Sequence, residues 1–232
     1  MYQSLEDHGF TQVFCCQCGH SHTIVKPCGH RYCPACGHIN RWRVRERLHQ
    51  VFKLYRHRQG YRLKMLTLAM ANCKDLEEGL NDLIAGFRRM RQTKFWNRHV
   101  IGGLFVIEIT GSPGSWHPHL HCFIYSFRIP WEQIRDCWSR SSKGGQSVWI
   151  ANITNDLAIY YVTKYVTKPG TEPEYSWLLE KAVKGRRTFQ RFGCLQKIKL
   201  PKRLSSKECE NCGCSDWLTE WDFHRLHLPL PT

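Results

Sequence analysis

Residues 116–125 read Trp-His-Pro-His-Leu-His-Cys-Phe-Ile-Tyr, and this stretch decides how the fold is interpreted. It is rich in residues that favour β-strands, and His119 and His121 lie two positions apart within it. Side chains alternate between the faces of a strand, so these imidazoles project from the same side, about 7 Å apart. His117, next to Pro118, falls on that side as well. Two adjacent imidazoles on one face can bind a single divalent metal ion.

A second apolar stretch, residues 103–110, precedes the histidines and carries one carboxylate, Glu108. The turn sequence Gly-Ser-Pro-Gly of residues 111–114 separates the two stretches, which predicts a β-hairpin with Glu108 able to join the histidines. The alternative is that the histidines are surface or hydrogen-bonded core residues, since such pairs arise by chance in a chain with 13 histidines.

Residues 156–170 read Asp-Leu-Ala-Ile-Tyr-Tyr-Val-Thr-Lys-Tyr-Val-Thr-Lys-Pro-Gly, which predicts a capped helix ended by Pro-Gly. Tyr161 and Tyr165 lie one turn apart on one face of this helix, and each has a lysine three residues later, Lys164 and Lys168. A tyrosine stripe is more commonly core packing. A cation beside each phenol suits phosphate chemistry better than packing.

The order of these motifs resembles the HUH endonucleases (His, hydrophobic, His), which include the rolling-circle replication initiators of plasmids and phages. His119-Leu120-His121 matches the histidine motif. The doubled tyrosine is similar to that of the A proteins of isometric single-stranded DNA phages and of two-tyrosine rolling-circle transposases. The family's Leu-Thr-Leu strand is matched by residues 65–69, its strand glutamate by Glu108, and a basic Gly-Arg-Arg segment by residues 185–193.

The resemblance, which spans roughly residues 61 to 193, implies a fold and a chemistry. The expected fold is α+β, a ferredoxin-like or RRM-like antiparallel sheet with flanking helices and the histidines at its centre. The expected activity is metal-dependent nicking and rejoining of single-stranded DNA, with Tyr161 and Tyr165 as nucleophiles assisted by Lys164 and Lys168. The metal, Mg²⁺ or Mn²⁺, is expected on His119, His121 and Glu108. The implied partners are single-stranded or hairpin origin DNA and a host helicase and polymerase.

The composition agrees with a nucleic-acid partner. The 232 residues carry a formal net charge of +15, and such a surplus favours a polyanion. Candidate DNA contacts lie after the first cysteines and after the tyrosine helix; they are Arg41, Arg43, Arg45, Arg186 and Arg187. The sequence contains no apolar run of about 18 residues, the length that a membrane span requires. It also contains no P-loop motif, so an ATP-driven helicase within the chain is not expected.

Thirteen cysteines would indicate disulfides in a secreted chain, but their grouping indicates zinc. The N-terminal candidates are two Cys-x2-Cys pairs and one further cysteine, namely Cys15, Cys18, Cys28, Cys33 and Cys36. The resemblance matches Cys28, Cys33 and Cys36 to the family's cysteine module, and whether Cys15 or Cys28 completes the ligand set stays open. Reduced thiols predict the cytoplasm. The resemblance implies a bacterial or archaeal host and a plasmid- or virus-encoded protein.

A later group, Cys209, Cys212 and Cys214, is a candidate for a second zinc site. The predicted organisation is a zinc module with a basic helix over residues 1–60, the endonuclease core over 61–170 and a basic extension over 171–232. Within the core the patterns predict strands over 62–69 and 147–153 and helices over 75–93 and 129–139.

Two other functions remain open. A rolling-circle-type transposase would use the same site chemistry. A non-catalytic, zinc-dependent nucleic-acid-binding protein would use the histidines and tyrosines structurally.

Overall fold

The computed structural model describes residues 10–25, 32, 45–46, 48–51, 60–142, 145–153, 175–198, 208–214, 217–219 and 224–225. Within these ranges the elements, in chain order, are β1 Phe10–Cys15, β2 Ser21–Val25, β3 Arg62–Met70, α1 Leu76–Gln92, α2 Lys94–His99, β4 Val100–Ser112, β5 Ser115–Ser126, α3 Trp131–Ser142, β6 Gly145–Asn152, α4 Ser176–Val183, β7 Phe189–Gly193 and β8 Trp217–Thr219. They belong to two compact units. We call His30–Lys199 the central unit, and Met1–Gly29 with Leu200–Thr232 the terminal unit.

The central unit is built on a five-stranded sheet with the order β6-β3-β5-β4-β7. Every neighbouring pair in it is antiparallel. The histidine strand β5 occupies the middle position, so the expected α+β class and the central placement of the histidines are confirmed. A central strand is paired on both sides, which fixes its register and therefore which side chains share each face.

The predicted hairpin is the longest paired segment of this sheet. β4 and β5 meet through Gly111 and Gly114, with φ of 92° and 85°, a backbone conformation that other residues rarely adopt. A side chain at Gly111 would also collide with the carbonyl oxygen of Ser115. The resulting register pairs Glu108 directly with His119.

The face of the sheet opposite to the histidines carries the core. α1 begins after Asp75, whose carboxylate accepts a hydrogen bond of 2.9 Å from the N–H of Glu78, and it buries an apolar stripe. The helix residues of this core are Leu76, Leu80, Leu83, Phe87, Met90, Ile134 and Trp138, and their sheet partners include Leu66, Leu68, Leu120 and Ile124. Each such leucine contributes about 1.5–3 kcal/mol by burial. With one face filled by α1 and α3, the histidines occupy the other.

The predicted elements of the core agree closely with this structure. The strand expected over 62–69 is β3, and the helix expected over 75–93 is α1 with its two caps. The helix expected over 129–139 is α3, which begins two residues later and extends to Ser142, and the strand expected over 147–153 is β6.

The terminal unit contains a three-stranded antiparallel sheet with the order β2-β1-β8. In this sheet β8, from near the end of the chain, pairs with β1, from near its beginning, for example Cys15 with Trp217. The sequence predicts these segments in separate domains, 1–60 and 171–232. A two-stranded hairpin is marginal by itself, and the third strand explains why both ends of the chain share one unit.

Several predicted features lie outside the described residues. They are the tyrosine helix with Tyr161, Lys164, Tyr165 and Lys168, the cysteines Cys28, Cys33 and Cys36, and the arginines Arg41 and Arg43. None of the helices in the described part of the chain has the length and apolar composition of a membrane span.

Candidate metal centres

Three histidines form a row along β5, and we call His117, His119 and His121 the histidine row. The ring centroids of His117 and His119 are 4.2 Å apart, and those of His119 and His121 are 6.1 Å apart with nearly parallel planes. His121 is buried, and the other two are half-buried. The alternation expected of a strand therefore places all three on one face, as the sequence predicts.

His121 is held by hydrogen bonds at both ring nitrogens. Its Nε2 lies 2.8 Å from Oε2 of Glu108, and its Nδ1 lies 3.1 Å from Oγ1 of Thr67. With Glu108 ionised, Nε2 carries the proton, because a carboxylate only accepts. The register explains both contacts, since Thr67 on β3 pairs with His121 and Glu108 lies diagonally across the β4–β5 hairpin.

His119 lies directly opposite Glu108, and its Nε2 is 3.3 Å from Oγ1 of Thr110. Glu108, with 6% of its surface exposed, thus contacts the His121 ring and pairs in register with His119, but the donor atoms of the three residues do not all lie within 4.8 Å of one another. A bare buried carboxylate is costly unless it is paired, and the imidazole proton supplies that pairing here. Two nitrogens and one oxygen are also a donor set that suits Mn²⁺ or Mg²⁺, which would replace the proton shared by Glu108 and His121.

Four cysteines of the terminal unit converge elsewhere, and we call Cys15, Cys18, Cys209 and Cys212 the cysteine quartet. Their Sγ atoms all lie within 4.8 Å of one another, the one group of three or more metal-binding side chains found this close in the described parts of the chain. The Sγ atoms of Cys15 and Cys212 are 3.5 Å apart, and those of Cys18 and Cys209 are 3.4 Å apart. A set of four thiols suits tetrahedral zinc.

The two halves of the quartet have the same local geometry, because each is Cys-x2-Cys-Gly. In the first, the N–H of Cys15 donates to the carbonyl of His20 at 2.8 Å, and Gly19 donates to that of Cys15 at 3.0 Å. In the second, Cys209 donates to Cys214 and Gly213 to Cys209, both at 2.8 Å. Both glycines have positive φ, 72° and 70°, as the tight turn requires.

The thiols of the quartet compete for deprotonation. Burial alone raises the pKa of Cys15, but hydrogen bonds from the N–H groups of Cys18 and Gln17 and from neighbouring thiols lower it to about 6. For Cys212 the N–H of Cys214 lowers the pKa, but burial and three thiol neighbours outweigh it and raise the pKa to about 12. A bound cation relieves this competition by stabilising all four thiolates together.

This grouping differs from the zinc sites expected from the sequence. The sequence predicts Cys15 and Cys18 in an N-terminal module, and Cys209, Cys212 and Cys214 in a second site. The structure instead combines one pair from each end of the chain, because β8 pairs with β1. Cys214 falls outside the quartet, with its Sγ 3.5 Å from that of Cys16.

Among the arginines predicted to contact DNA, three are described. Arg187 is exposed and Arg45 is half-buried. The side chain of Arg186 is 19% exposed, and its guanidinium lies 4.0 Å from the carboxylate of Glu77 on α1.

We call the face of the sheet that carries the histidine row the histidine face. The sequence does not single out some of the other residues on this face. From the sequence, Thr67 belongs to the Leu-Thr-Leu motif and Thr110 ends a strand, and neither pattern gives a role on this face. The sequence predicts Trp149 in a strand but gives it no role. The side chains of β3, β4 and β6 alternate between the two faces of each strand, and this alternation can be recognised in the sequence. It shows which residues share a face of the sheet only once the strand order is known.

The antiparallel five-stranded sheet, the helices on one of its faces and the His-hydrophobic-His motif on its central strand agree with the expected resemblance to the HUH class. Residues 22–128 match the model of a family described as replication protein. Over this segment the chain is similar to replication proteins, which agrees with the resemblance of its motifs to rolling-circle initiators. The matched segment, just under half of the chain, includes Glu108, His119 and His121 and ends before the tyrosines. No curated protein and no solved structure matches the chain.

Proposed function

We propose that this protein nicks and rejoins single-stranded DNA at a replication origin through a covalent 5′-phosphotyrosine. The observation that carries the proposal is the sharing of one sheet face by Glu108, His119 and His121, with the 2.8 Å contact between Glu108 and His121. In a replication protein this face is where a phosphate diester would be positioned. The net charge of +15 favours the approach of the DNA strand.

The three side chains would hold Mg²⁺ or Mn²⁺, which polarises the scissile phosphate and offsets the negative charge of the transition state. Thr67 orients the His121 ring through its hydrogen bond, so that Nε2 faces Glu108. Such partners behind a metal ligand fix its tautomer and its direction.

The nucleophile in this proposal is Tyr161. Its phenolic oxygen attacks phosphorus, the bond from phosphorus to the 3′ oxygen breaks, and the 3′ oxygen leaves as a hydroxyl by taking up a proton. The product retains the phosphodiester bond energy in the tyrosine ester, so a later 3′-hydroxyl can reverse the step without ATP. Lys164 favours the phenolate, because a nearby cation lowers the pKa of a phenol. Tyr165 would perform the second transfer, which closes a circle.

The proposal assigns a structural zinc ion to the cysteine quartet. Four thiolate ligands leave no open position for a substrate, unlike the histidine face. Bound zinc would join the two ends of the chain and stabilise the β2-β1-β8 sheet. A cytoplasmic location of the protein, in a bacterial or archaeal host, would keep these thiols reduced.

The test is adduct formation on a labelled pool of random-sequence single-stranded oligonucleotides, incubated with Mn²⁺ and separated on a denaturing gel. Wild-type protein should form a covalent adduct, and peptide mapping by mass spectrometry should find the nucleotide on Tyr161. Tyr161→Phe should remove most of the adduct. Tyr165→Phe should preserve the first cleavage and impair circle closure.

Tyr160→Phe is the matched control, because in a helix Tyr160 lies about 100° away from the face shared by Tyr161 and Tyr165. It should form the adduct at the wild-type level. A wild-type protein that binds the pool but forms no adduct with Mn²⁺ or Mg²⁺ would support the non-catalytic alternative and overturn the proposal. Adduct found only on Tyr165 would reverse the assigned order.

A further inference from the structure

A large aromatic side chain lies exposed on β6 of the central unit. Trp149 has 53% of its surface exposed, although it lies within a paired strand. Its strand neighbours on either side, Val148 and Ile150, point to the opposite face, where Val148 joins the core. Trp149 therefore lies on the face that does not carry the core.

The strand register places Trp149 on the same face as the histidine row. Trp149 pairs with Thr67, and Thr67 pairs on its other side with His121. Directly paired residues of antiparallel strands project to the same face, so the three form one line across the sheet. Two strand spacings separate its ends, about 10 Å. The tryptophan is thus a near neighbour of the proposed phosphate position.

The residues between the tryptophan and His119 in the sheet have small side chains. Ala69 pairs with His119, and Ser147 pairs with Ala69. Ser147 lies two residues before Trp149 and therefore on the same face. Ser147 is exposed beside the exposed indole ring, whereas Ala69 is buried, so the accessible side of the tryptophan is the one next to the serine.

The backbone that carries Trp149 is held at the edge of the sheet. The indole N–H of Trp131, at the start of α3, donates a hydrogen bond of 3.0 Å to the carbonyl of Val148. This contact satisfies an acceptor of the edge strand next to Trp149. A fixed backbone reduces the conformational entropy that a ligand must remove on binding.

We propose that Trp149 stacks against one unpaired base of the substrate strand while a neighbouring phosphate lies at the histidine row. The inference rests on the proposed function, which supplies single-stranded DNA as the ligand of this face. Aromatic rings bind single strands by stacking on bases of any sequence, and a loss of one such contact weakens binding by about tenfold to hundredfold. Trp149 thus sets the position of the strand without reading its sequence.

The experiment measures the affinity of the zinc-loaded protein for two fluorescent probes, without added Mg²⁺ or Mn²⁺. One probe is a thymidine oligonucleotide of about 16 nucleotides, within the usual site sizes. The other is an abasic strand of equal length and charge. The variants are Trp149→Ala, Trp149→Phe and, as matched control, Trp177→Ala, whose side chain is 52% exposed on α4.

Wild-type protein should bind the thymidine probe more tightly than the abasic one. Trp149→Ala should weaken thymidine binding by about tenfold to hundredfold and abasic binding much less, so the preference for bases falls. Trp149→Phe should keep most of the preference, because a phenyl ring also stacks. Trp177→Ala should behave as wild type.

An unchanged base preference in Trp149→Ala would overturn the inference, and so would an equal loss for both probes with unchanged thermal unfolding. A fall from dimer to monomer in light scattering would assign Trp149 to a contact between copies of the chain instead. Because no cleavage is needed, a base preference without adduct formation would refute the proposed function alone. Adduct formation with an unchanged preference would refute the stacking alone.

Discussion

The histidine face and the cysteine quartet are both candidate metal centres, but the chain assembles them in opposite ways. Glu108 and His121 are 13 residues apart on one hairpin and meet at 2.8 Å. In the quartet, Cys18 and Cys209 are 191 residues apart, and Cys15 and Cys212 are 197 apart. One site follows from a local turn and strand register, and the other depends on contacts between distant parts of the chain.

This difference predicts different roles for the metal. Strand pairing, the core beneath the sheet and the hydrogen bonds of Thr67 and Glu108 hold the histidines in place by themselves. A metal there can exchange and leave positions for substrate. The quartet is joined across the chain by the short strand β8 and by sulfur atoms that repel one another as thiolates. A metal there contributes directly to folding.

The largest effect that tests this contrast is the loss of a quartet thiol. Cys209→Ser should remove the bound zinc and lower the unfolding temperature of the terminal unit, because structural zinc contributes on the order of 10 kcal/mol in small modules. Nicking should persist. Elemental analysis and calorimetry measure both outcomes.

Cys16→Ser is the matched control for that change, since Cys16 is adjacent to the quartet in sequence but outside it. It should retain one zinc per chain. Zinc retained in Cys209→Ser, or zinc lost in Cys16→Ser, would contradict the assigned ligands.

On the histidine face the next largest effect is expected for His121→Ala. Nicking should fall by more than about a hundredfold, the upper range for residues that only orient a metal ligand. Binding of single-stranded DNA should remain. Gel assays of cleavage and of binding separate the two.

His99→Ala provides the control for His121→Ala, because the His99 ring is 2.8 Å from the carbonyl of Phe95 in α2 and outside the histidine row. It should nick at the wild-type rate. Full activity of His121→Ala would exclude the histidine row as the metal site.

A smaller effect is expected for Glu108→Gln, which keeps the shape of the side chain but removes its charge. The Mn²⁺ concentration for half-maximal nicking should rise by about tenfold to hundredfold. Thermal unfolding should change little. An unchanged Mn²⁺ titration would place the third ligand elsewhere, with His117 as the first candidate.

The smallest effect is expected for Thr67→Val, which removes one hydrogen bond to His121 at nearly constant volume. A bond of this kind is worth about 0.5–1.5 kcal/mol, so nicking should fall by about twofold to tenfold. Thr67→Ser should restore the rate, because it retains the hydroxyl. A valine variant as active as wild type would mean that the hairpin alone orients the ring.

The contrast also explains how much of the molecule the sequence predicted. The hairpin, α1 and the shared face of Glu108, His119 and His121 follow from periodicity and turn residues, which act over short distances. The helix predicted over 75–93 agrees with α1 and its two cap residues. These features are local, and local preferences agree with the final fold.

Periodicity and turn residues do not predict which cysteines lie together in the quartet. Cys-x2-Cys-Gly is recognisable at Cys15 and at Cys209, but spacing alone does not predict which Cys-x2-Cys pairs share one zinc ion. Pairing of β1 with β8 decides it, and a strand of three residues carries almost no sequence signal. The position of Trp149 beside Thr67 is unpredictable for the same reason, because the sequences of β3 and β6 do not show that these two strands are neighbours in the sheet.

Native mass spectrometry of wild-type protein, Cys209→Ser and His121→Ala, with Mn²⁺ added, tests the central claim of two separate metal centres most directly. The account predicts one zinc and one manganese ion on the wild-type chain, manganese alone on Cys209→Ser and zinc alone on His121→Ala. Manganese retained by His121→Ala, or zinc lost from it, would contradict the account.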